Sequence, residues 1–213
     1  MPKLIDCEQR SPEWFRARAG RITASHMAEL FAYSKQKGKE GIELKARSDY
    51  RMALLSERLT GQVARHFVTE EMKWGQEQEE YARTIYELKN SVFVEQIGFA
   101  IHPTMDFAGA SPDGLVGEDG GIEIKCLTTA NHLSILKSKQ VPQEYYDQIQ
   151  WNMVCCERFK WDFVCFDPRL PERLQMVIIP VMYDENRVAE LESEVRKMNA
   201  EVEQAMKELA VNA

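Results

Sequence analysis

The chain has 213 residues, a formal net charge of −7 and charged side chains at 29% of its positions. This acidic balance argues against a passive nucleic-acid coat, which would be basic, but it does not exclude an enzyme with a local basic groove. Hydrophobic residues make up 44% of the chain, as in ordinary globular proteins, and no apolar run approaches the ~20 residues of a membrane span.

The cysteines and histidines suggest neither a zinc site nor a disulfide framework. The five cysteines are odd in number and contain no Cys-x-x-Cys pair, and the four histidines are scattered. The first residues also lack the apolar core of a signal peptide. We therefore expect a protein of a reducing cytoplasm, without a membrane partner.

Two short helices are predicted near the N-terminus. Ser11-Pro12 is typical of an N-cap followed by proline at the first helical position, and this helix would end at Gly20. Thr23 is the candidate cap of the second helix.

A basic cluster surrounds the start of that second helix. It consists of Arg16, Arg18 and Arg21, beside Thr23 and Ser25. Guanidinium groups, hydroxyls and free backbone N–H groups at a helix N-terminus suit a phosphate. A solvated basic turn is the simpler alternative, and the local sequence alone favours it.

Residues 33–47 are polar and rich in lysine, and their lack of periodicity predicts a mobile basic loop. Ser48 is then expected to cap a scaffold helix with apolar residues at helical spacing as far as Leu59. Gly61 would end this helix.

A further helix is predicted over about 70–89, opened by Thr69. One face of it carries Gly75, Glu79, Ala82 and Tyr86. A glycine in a helix interior costs about 1 kcal/mol relative to alanine, so Gly75 indicates a close approach by another part of the chain. Glu79 would then lie among small and aromatic neighbours, with a solvated acidic face as the alternative.

The second half of the chain is predicted to contain most of the sheet. Its β-branched and aromatic runs predict three antiparallel strands, at 92–101, 107–116 and 121–126. The remaining predicted elements are a helix at 129–137, a helix from Pro142, and strands at 161–166 and 174–182.

Residues 184–213 are predicted to form one long helix. Its apolar seam consists of Val188, Leu191, Val195, Met198, Val202, Ala205 and Leu209. Such a seam can pack on its own domain or against a partner chain, and packing on its own domain is favoured.

The stretch from Ser111 to Lys125 brings two carboxylates and a lysine together. Asp113 follows a Ser-Pro turn, and Glu123 and Lys125 alternate along an apolar strand, so their side chains project from the same face. Burying such a pair is costly unless a ligand or metal offsets the desolvation. A surface ion pair on a hairpin is the alternative.

This pattern, with Pro112 before Asp113 and a helix glutamate upstream at Glu79, resembles the PD-(D/E)XK nuclease superfamily. Other stretches resemble one branch of it, the bacteriophage lambda exonuclease family of YqaJ-type viral recombinases. The matching stretches are residues 13–25 (EWFRARAGRITAS), Trp74-Gly75-x-x-x-Glu79, Ser111-Pro112-Asp113-Gly114, Glu123-Ile124-Lys125-Cys126 and Tyr145-x-x-Gln148-x-Gln150. The resemblance extends from residue 11 to about 168 and leaves out 33–47 and 127–142.

The resemblance implies an α/β (α+β) fold with a restriction-endonuclease-like core. A central mixed sheet of about five strands would be flanked by helices, with a long C-terminal helix. Residues 1–213 would form a single nuclease domain, with a helical N-terminal part at 11–90, the core sheet at 91–183 and the C-terminal helix at 184–213.

The implied activity is 5′-to-3′ digestion of one strand at the ends of double-stranded DNA. Such an exonuclease releases mononucleotides and leaves 3′ single strands for annealing-based recombination. Members of the family form ring-shaped homotrimers that thread the DNA, so that only the channel needs to be basic. The expected partner is a single-strand annealing protein, and the expected setting is a phage or prophage in a bacterial cytoplasm.

Hydrolysis of a phosphodiester by such an enzyme uses two Mg²⁺ ions about 4 Å apart, for which Mn²⁺ can substitute. Magnesium prefers carboxylate and carbonyl oxygens. Asp113 is expected to bridge the ions, with Glu123 and the Ile124 carbonyl completing one site. Glu79 would reach the other ion. Without cations these carboxylates would repel each other, and their pKa values would rise.

Other residues are expected to act beside the metal ligands. Lys125 would orient or help deprotonate the attacking water, and Gln148 would contact that water or the scissile nucleotide. By similarity, the residues that would hold the terminal 5′-phosphate are Arg18, Ser25 and Ser111. Met72 aligns with an apolar residue that splits the terminal base pairs, with core packing as the alternative.

Two other functions are compatible with these motifs. One is a PD-(D/E)XK endonuclease of the restriction or junction-resolving type, which would not need a pocket for a terminal phosphate. The other is a non-catalytic module that binds DNA ends, which is disfavoured because Glu79, Asp113, Glu123 and Lys125 are all present.

Overall fold

The computed structural model describes residues 2–63 and 69–211, apart from the side chains of residues 71, 72 and 211. Along these residues, none of the helices combines the length and hydrophobicity that crossing a membrane requires. The α-helices are α1 (Pro12–Arg18), α2 (Met27–Leu30), α3 (Lys45–Thr60), α4 (Glu70–Asn90), α5 (Thr129–Ser138), α6 (Gln143–Cys156) and α7 (Glu185–Val211). The strands are β1 (Lys3–Ile5), β2 (Ile22–Thr23), β3 (Val94–Glu95), β4 (Phe99–His102), β5 (Met105–Ala110), β6 (Gly114–Val116), β7 (Gly120–Lys125), β8 (Lys160–Phe166) and β9 (Met176–Met182).

The strands form two mixed sheets. The larger sheet has five strands in the order β3-β6-β7-β8-β9. Its β7–β8 pair is parallel, and its other pairs are antiparallel. The predicted central mixed sheet of about five strands is therefore confirmed. A second sheet, in the order β1-β4-β5-β2, was not predicted, because its edge strands β1 and β2 have only three and two residues.

The prediction of three antiparallel strands between residues 92 and 126 was wrong. The first predicted strand is divided into β3 and β4 and the second into β5 and β6, and in both cases the two parts belong to different sheets. Pro112 interrupts the second run because it has no N–H to donate to a sheet ladder. At the first break, a Cβ on Gly98 would lie 2.4 Å from the Cys7 carbonyl oxygen, so the glycine permits a close crossing of the N-terminal segment.

Helices cover both faces of β7. Ile122 and Ile124 are buried in an apolar cluster that also contains Ala82 and Tyr86 of α4. The alternate residues of β7 face α6, whose polar side chains contact Glu123. The parallel connection from β7 to β8 runs through α5 and α6, as parallel strands require. The carboxyl end of β7 therefore lies between α4 and α6.

Two predicted helix starts differ from the observed ones. Thr23 ends β2 and stands at the N-cap position of a short 3₁₀ turn (Ala24–His26) that leads into α2, but its side chain makes no capping hydrogen bond. Helix α3 begins at Lys45, so Ser48 lies inside its first turn. The buried Arg47 side chain explains the earlier start, because it bonds the Leu30 carbonyl and Glu201 from within the helix.

The segment at 33–47 is not the open loop that its composition predicts. Tyr33 and Glu43 form an isolated β-bridge across it, and the last three residues belong to α3. Glu43 and Glu201 both pair with Arg47 and Arg51. This charge network attaches the segment to α7, although nothing in its hydrophobic pattern predicts the attachment.

Helix α7 packs along its own chain, as predicted. Its first five seam residues are buried against α2, α3 and α6: Val188, Leu191, Val195, Met198 and Val202. Ala205 is partly buried against the same core. Leu209, the last residue of the seam, is 49% exposed.

Candidate active site

The Ser-Pro-Asp turn and the end of β7 bring the predicted acidic residues together. Asp113 stands immediately before β6, which pairs with β7 in the register Gly114 opposite Ile122. One oxygen of the Asp113 carboxylate accepts the backbone N–H of Ile124 at 2.6 Å. Burial raises the pKa of Asp113, although Lys125 and the Ile124 N–H oppose that shift. The turn thus holds a carboxylate directly beside the strand that carries Glu123.

Glu123 is the most deeply buried acid of the site, with 1% of its side chain exposed. Its Oε1 accepts hydrogen bonds from Lys125 Nζ at 2.7 Å and Gln148 Nε2 at 2.6 Å. Its Oε2 accepts from Asn152 Nδ2 at 2.8 Å. Burial raises the pKa of Glu123, Asp113 adds to the rise, and Lys125 and Asn152 oppose it. The alternative of a surface ion pair on a hairpin is therefore wrong.

Lys125 projects from the same face of β7 as Glu123, as the alternation predicted. Its ammonium lies 5.1 Å from the centre of the Tyr145 ring, and 23% of the side chain is exposed. Burial lowers the pKa of Lys125, but Glu123 and Asp113 outweigh that effect and the net shift is upward. The lysine is thus a charged donor directed at the carboxylates.

Glu79 approaches the same place from α4. Gly75, one turn earlier, would bring a Cβ to 3.3 Å from the Cys126 carbonyl, so the predicted close approach is with the residue that follows β7. The Glu79 carboxylate accepts from Arg10 at 3.0 Å. Burial raises the pKa of Glu79 to about 7, Asp113 adds to the rise, and Arg10 lowers it.

These acids supply the oxygen donors that a hard divalent cation prefers. Glu79, Asp113 and Glu123 approach the end of β7, and the charge of Asp113 raises the pKa of both glutamates. Nevertheless, the described part of the chain contains no group of three His, Cys, Asp or Glu side chains already arranged to hold a metal. Each carboxylate is instead turned to a protein donor. The donor set fits Mg²⁺, and binding would exchange some of these internal partners.

Helix α6 supplies two amides to Glu123. Gln148 was expected at the water or the nucleotide, and in this structure it donates to the Glu123 carboxylate. Asn152, one turn later, is fully buried and was missed by the sequence analysis. Its i+4 spacing from Gln148 on a helix already predicted was a usable signal. Its Oδ1 has no hydrogen-bond partner among the described residues.

A second polar cluster surrounds the Ser111 hydroxyl. Arg18 donates to Ser111 Oγ at 3.2 Å, and its other amine lies 3.4 Å from the hydroxyls of Thr23 and Ser25. The Trp14 indole N–H donates to Ser111 Oγ at 2.8 Å, and the Arg18 guanidinium stacks over that indole at 4.4 Å. The structure therefore brings together all three residues predicted for the phosphate pocket, and adds Trp14.

The other two arginines of the predicted basic cluster turn away from this pocket. Arg16 is exposed and pairs with Glu13 at 2.5 Å. Arg21 donates to the carbonyls of Ala17 and Asp106. For these two, the alternative of a solvated basic turn is correct.

An open cleft of about 500 Å³ reaches the acids from the side of the N-terminal segment. Arg10, Arg83, Glu79 and Asp113 all line it. Neither arginine was predicted: the contact of Arg10 with α4 depends on the unpredicted strand β1, whereas Arg83, four residues after Glu79 on the predicted helix, could have been found from helical spacing. Met72, the predicted wedge, belongs to the first turn of α4, but its side chain lies outside the described residues.

Comparison with known proteins supports a single family. A profile of the YqaJ-like viral recombinase domain matches residues 13–158. The structure of LHK-Exo in complex with dAMP is 35% identical, with a TM-score of 0.84 over 95% of this chain and 100% of that chain. A second structure of LHK-Exo, an alkaline exonuclease from Laribacter hongkongensis, gives 36% identity, a TM-score of 0.83 and the same coverage.

A more distant structure shares the fold alone. The phage-related exonuclease from Haemophilus somnus 129PT is 15% identical, with a TM-score of 0.64 over 89% of this chain and 96% of that chain. No curated protein matches this chain significantly. The matching domain covers most of the chain and contains α1, α4, the Ser-Pro-Asp turn, β7 and α6, the elements that carry the site. This chain belongs to the YqaJ-like viral recombinase family.

Proposed function

We propose that this chain is a Mg²⁺-dependent exonuclease that digests one strand of double-stranded DNA in the 5′-to-3′ direction. It would release mononucleotides and leave 3′ single strands for annealing-based recombination. The observation that carries the proposal is the hydrogen bond between Arg18 and Ser111. Ser111 lies two residues before Asp113, so the basic cluster and the acids are neighbours. A guanidinium with several hydroxyls suits a terminal phosphate, and the neighbouring acids suit the metal chemistry of the next phosphodiester. The related LHK-Exo is an alkaline exonuclease.

The acids and one backbone carbonyl are the proposed metal ligands. Asp113, Glu123, Glu79 and the Ile124 carbonyl would hold two Mg²⁺ ions, and Mn²⁺ would substitute for them. When bound, such ions activate a water and stabilise the charge that develops on the entering and leaving oxygens. The carboxylates supply the negative charge that retains the cations beside DNA.

Three other residues prepare this centre. Lys125 carries the positive charge that would orient the attacking water and offset charge on the phosphate. Gln148 and Asn152 hold both oxygens of Glu123, so the orientation of that carboxylate is fixed before substrate arrives. Gln148 is half-buried and remains our candidate for a contact with the scissile nucleotide.

The phosphate cluster would set the polarity of digestion. Arg18, Ser25 and Ser111 would bind the terminal 5′-phosphate, with Trp14 fixing the serine and the guanidinium. Holding that phosphate leaves the next phosphodiester at the acids, so each cycle removes one nucleotide. Met72 remains our candidate for separating the last base pairs.

We also propose the quaternary context that the family implies. Residues 1–213 would act as one nuclease domain in a homotrimeric ring around DNA, working with a single-strand annealing protein. Sedimentation is the direct test, since a monomer at micromolar concentration, together with distributive digestion, would contradict the ring.

The exonuclease proposal is tested with three DNA substrates of equal length. We expect rapid Mg²⁺-dependent loss of linear duplex with 5′-phosphates, slower loss of linear duplex with 5′-hydroxyls, and no cutting of covalently closed circles. Rapid cutting of closed circles would indicate an endonuclease instead. Binding of linear duplex without hydrolysis, at any Mg²⁺ concentration, would indicate a non-catalytic end-binding module.

A further inference from the structure

The two glutamates of the site are held in different ways. Glu123 is inaccessible, and three donors from β7 and α6 surround it. Glu79 has an ion pair with Arg10, in which 51% of the arginine side chain and 27% of the glutamate side chain are exposed. An ion pair this open to solvent is weakly held. Glu79 is therefore the ligand whose internal partner is easiest to displace.

Arg10 reaches Glu79 from a segment that crosses the cleft. The Gln9 side chain fastens this segment by donating to the carbonyls of Ile97 and Pro112, both at 2.9 Å. Arg10 itself has a φ of 69°, a left-handed conformation that is unfavourable for a residue with a side chain. The fold thus holds the start of the Arg10 side chain in a fixed position, with its guanidinium next to α4.

The cleft under this segment is acidic. Arg10 and Arg83 are its two basic lining residues. Its acidic lining residues are Asp6, Glu8, Glu79, Glu80 and Asp113. Such a surface attracts cations, and a cation placed against Glu79 would meet the Arg10 guanidinium at the same oxygen.

We propose that Arg10 is a displaceable counter-ion of Glu79, which occupies that carboxylate in the metal-free protein and gives it up to a divalent cation. Arg10 acts through Glu79: it competes with the ion for that carboxylate and so lowers the affinity for the first ion. This inference rests on the proposed metal-dependent function, because it assumes that Glu79 is a ligand.

The test is the affinity for Mn²⁺ of the full-length protein without DNA, followed by electron paramagnetic resonance of the free ion. Arg10→Gln removes the competing charge, so the Mn²⁺ dissociation constant should fall by roughly threefold to tenfold. Arg10→Lys keeps a charge at the same position and should remain within about twofold of the wild type. Arg16→Gln is the matched control, because Arg16 is an exposed arginine that pairs with Glu13 and not with the acids of the site. It should leave the Mn²⁺ dissociation constant unchanged.

An unchanged or weaker Mn²⁺ affinity in Arg10→Gln would overturn the proposal, because Arg10 would then be orienting Glu79 for the ion. Tighter binding in Arg16→Gln as well would also overturn it, since a general charge effect would explain both. If the wild-type protein binds no Mn²⁺, the metal-dependent function itself fails, together with this inference. Circular dichroism of each variant verifies that the fold is intact.

Discussion

The two halves of the site differ in how they satisfy their charges. Around Ser111, the Arg18 guanidinium donates to hydroxyls and stacks over an aromatic ring. Around β7, three acids share a small volume, and each is held by an internal cation or N–H donor. The donors of the proposed phosphate pocket are thus already in place, whereas in the acidic centre Arg10 and Lys125 neutralise the glutamates.

The difference predicts that the acidic centre responds to metal ions and that the cluster around Ser111 responds to the chemistry of the DNA end. Removing a carboxylate charge from the acidic centre should abolish the proposed hydrolysis and relieve repulsion, so the free energy of unfolding should rise as activity falls. Removing a charge from the phosphate pocket should change the choice of DNA end and leave the metal-free fold nearly as stable. The following predictions test this contrast.

The largest expected effect is that of Asp113→Asn. Turnover should fall by at least about 1,000-fold, because the proposed bridging ligand loses its charge. Duplex binding should persist, and the melting temperature of the metal-free protein should rise, since burial raises the pKa of Asp113 and penalises its ionised form. Activity assays and thermal unfolding in EDTA measure both. Asp106→Asn, at an exposed acid that pairs with Lys3, is the control and should alter neither.

Lys125→Ala should damage the centre in a different way. It leaves Glu123 with two amide donors and no cation, which should lower the free energy of unfolding by about 3 kcal/mol. Turnover should fall by roughly 100-fold or more. Chemical denaturation and single-turnover assays test this. Near-normal turnover would contradict the role of the lysine, and Lys160→Ala, at an exposed pair with Asp119, serves as the control.

Arg18→Ala should change end selection instead of metal binding. Digestion of 5′-phosphorylated duplex should slow by about 100-fold, whereas digestion of 5′-hydroxyl duplex should change little, so the preference between the two ends is lost. The measurement is the ratio of the two initial rates, with Arg16→Ala as the control. If Arg18→Ala kept the preference for 5′-phosphorylated ends, the terminal phosphate would have to bind elsewhere on the molecule.

The smallest predicted effect is a pH dependence confined to the acidic centre. Burial raises the pKa of Glu79 to about 7, so the folded protein keeps a proton that the unfolded chain has already lost. Between about pH 4.5 and about pH 7 the unfolded state therefore binds fewer protons than the folded state. The free energy of unfolding of the metal-free protein should fall by about 2 kcal/mol over that interval. Melting curves in EDTA between pH 5 and pH 8 measure this loss.

Magnesium should remove most of that loss, because it replaces the proton as the partner of the carboxylate. Glu79→Gln should reduce the pH dependence of stability in EDTA, and the raised pKa values of Glu123 and Asp113 should account for what remains. If the stability of the wild-type protein in EDTA rose between pH 5 and pH 7, the raised pKa of Glu79 would be contradicted.

How much of the site could be predicted depends on the range of the interactions. The common face of Glu123 and Lys125 follows from the two-residue period of a strand, and the position of Glu79 follows from the helical face that it shares with Gly75 and Ala82. Both are local rules. Arg10 is reached only through β1 and its pairing with β4, a contact between distant parts of the chain that no local pattern predicts.

Elements of the fold that depend on local patterns were likewise predicted better than those that depend on distant contacts. The long, strongly periodic helices were predicted to within a few residues, and the apolar strands β7, β8 and β9 were found. The start of α3 was predicted wrongly because it is decided by the tertiary bonds of Arg47, whereas Pro112 was a local signal for the division of β5 from β6 that the single predicted strand at 107–116 did not use. At the start of α3, tertiary bonding therefore overrode local propensity.

Linear duplex labelled at its ends distinguishes digestion from the 5′ end, as proposed here, from digestion in the opposite direction. With the label in the 5′-terminal nucleotide, Mg²⁺ should release the label as a mononucleotide at the earliest times, while a label at the 3′ end stays in a strand that shortens gradually from its 5′ end. The account predicts this order for every duplex end that carries a 5′-phosphate. Early release of the 3′ label, or release of the 5′ label in fragments longer than a mononucleotide, would contradict this direction of digestion.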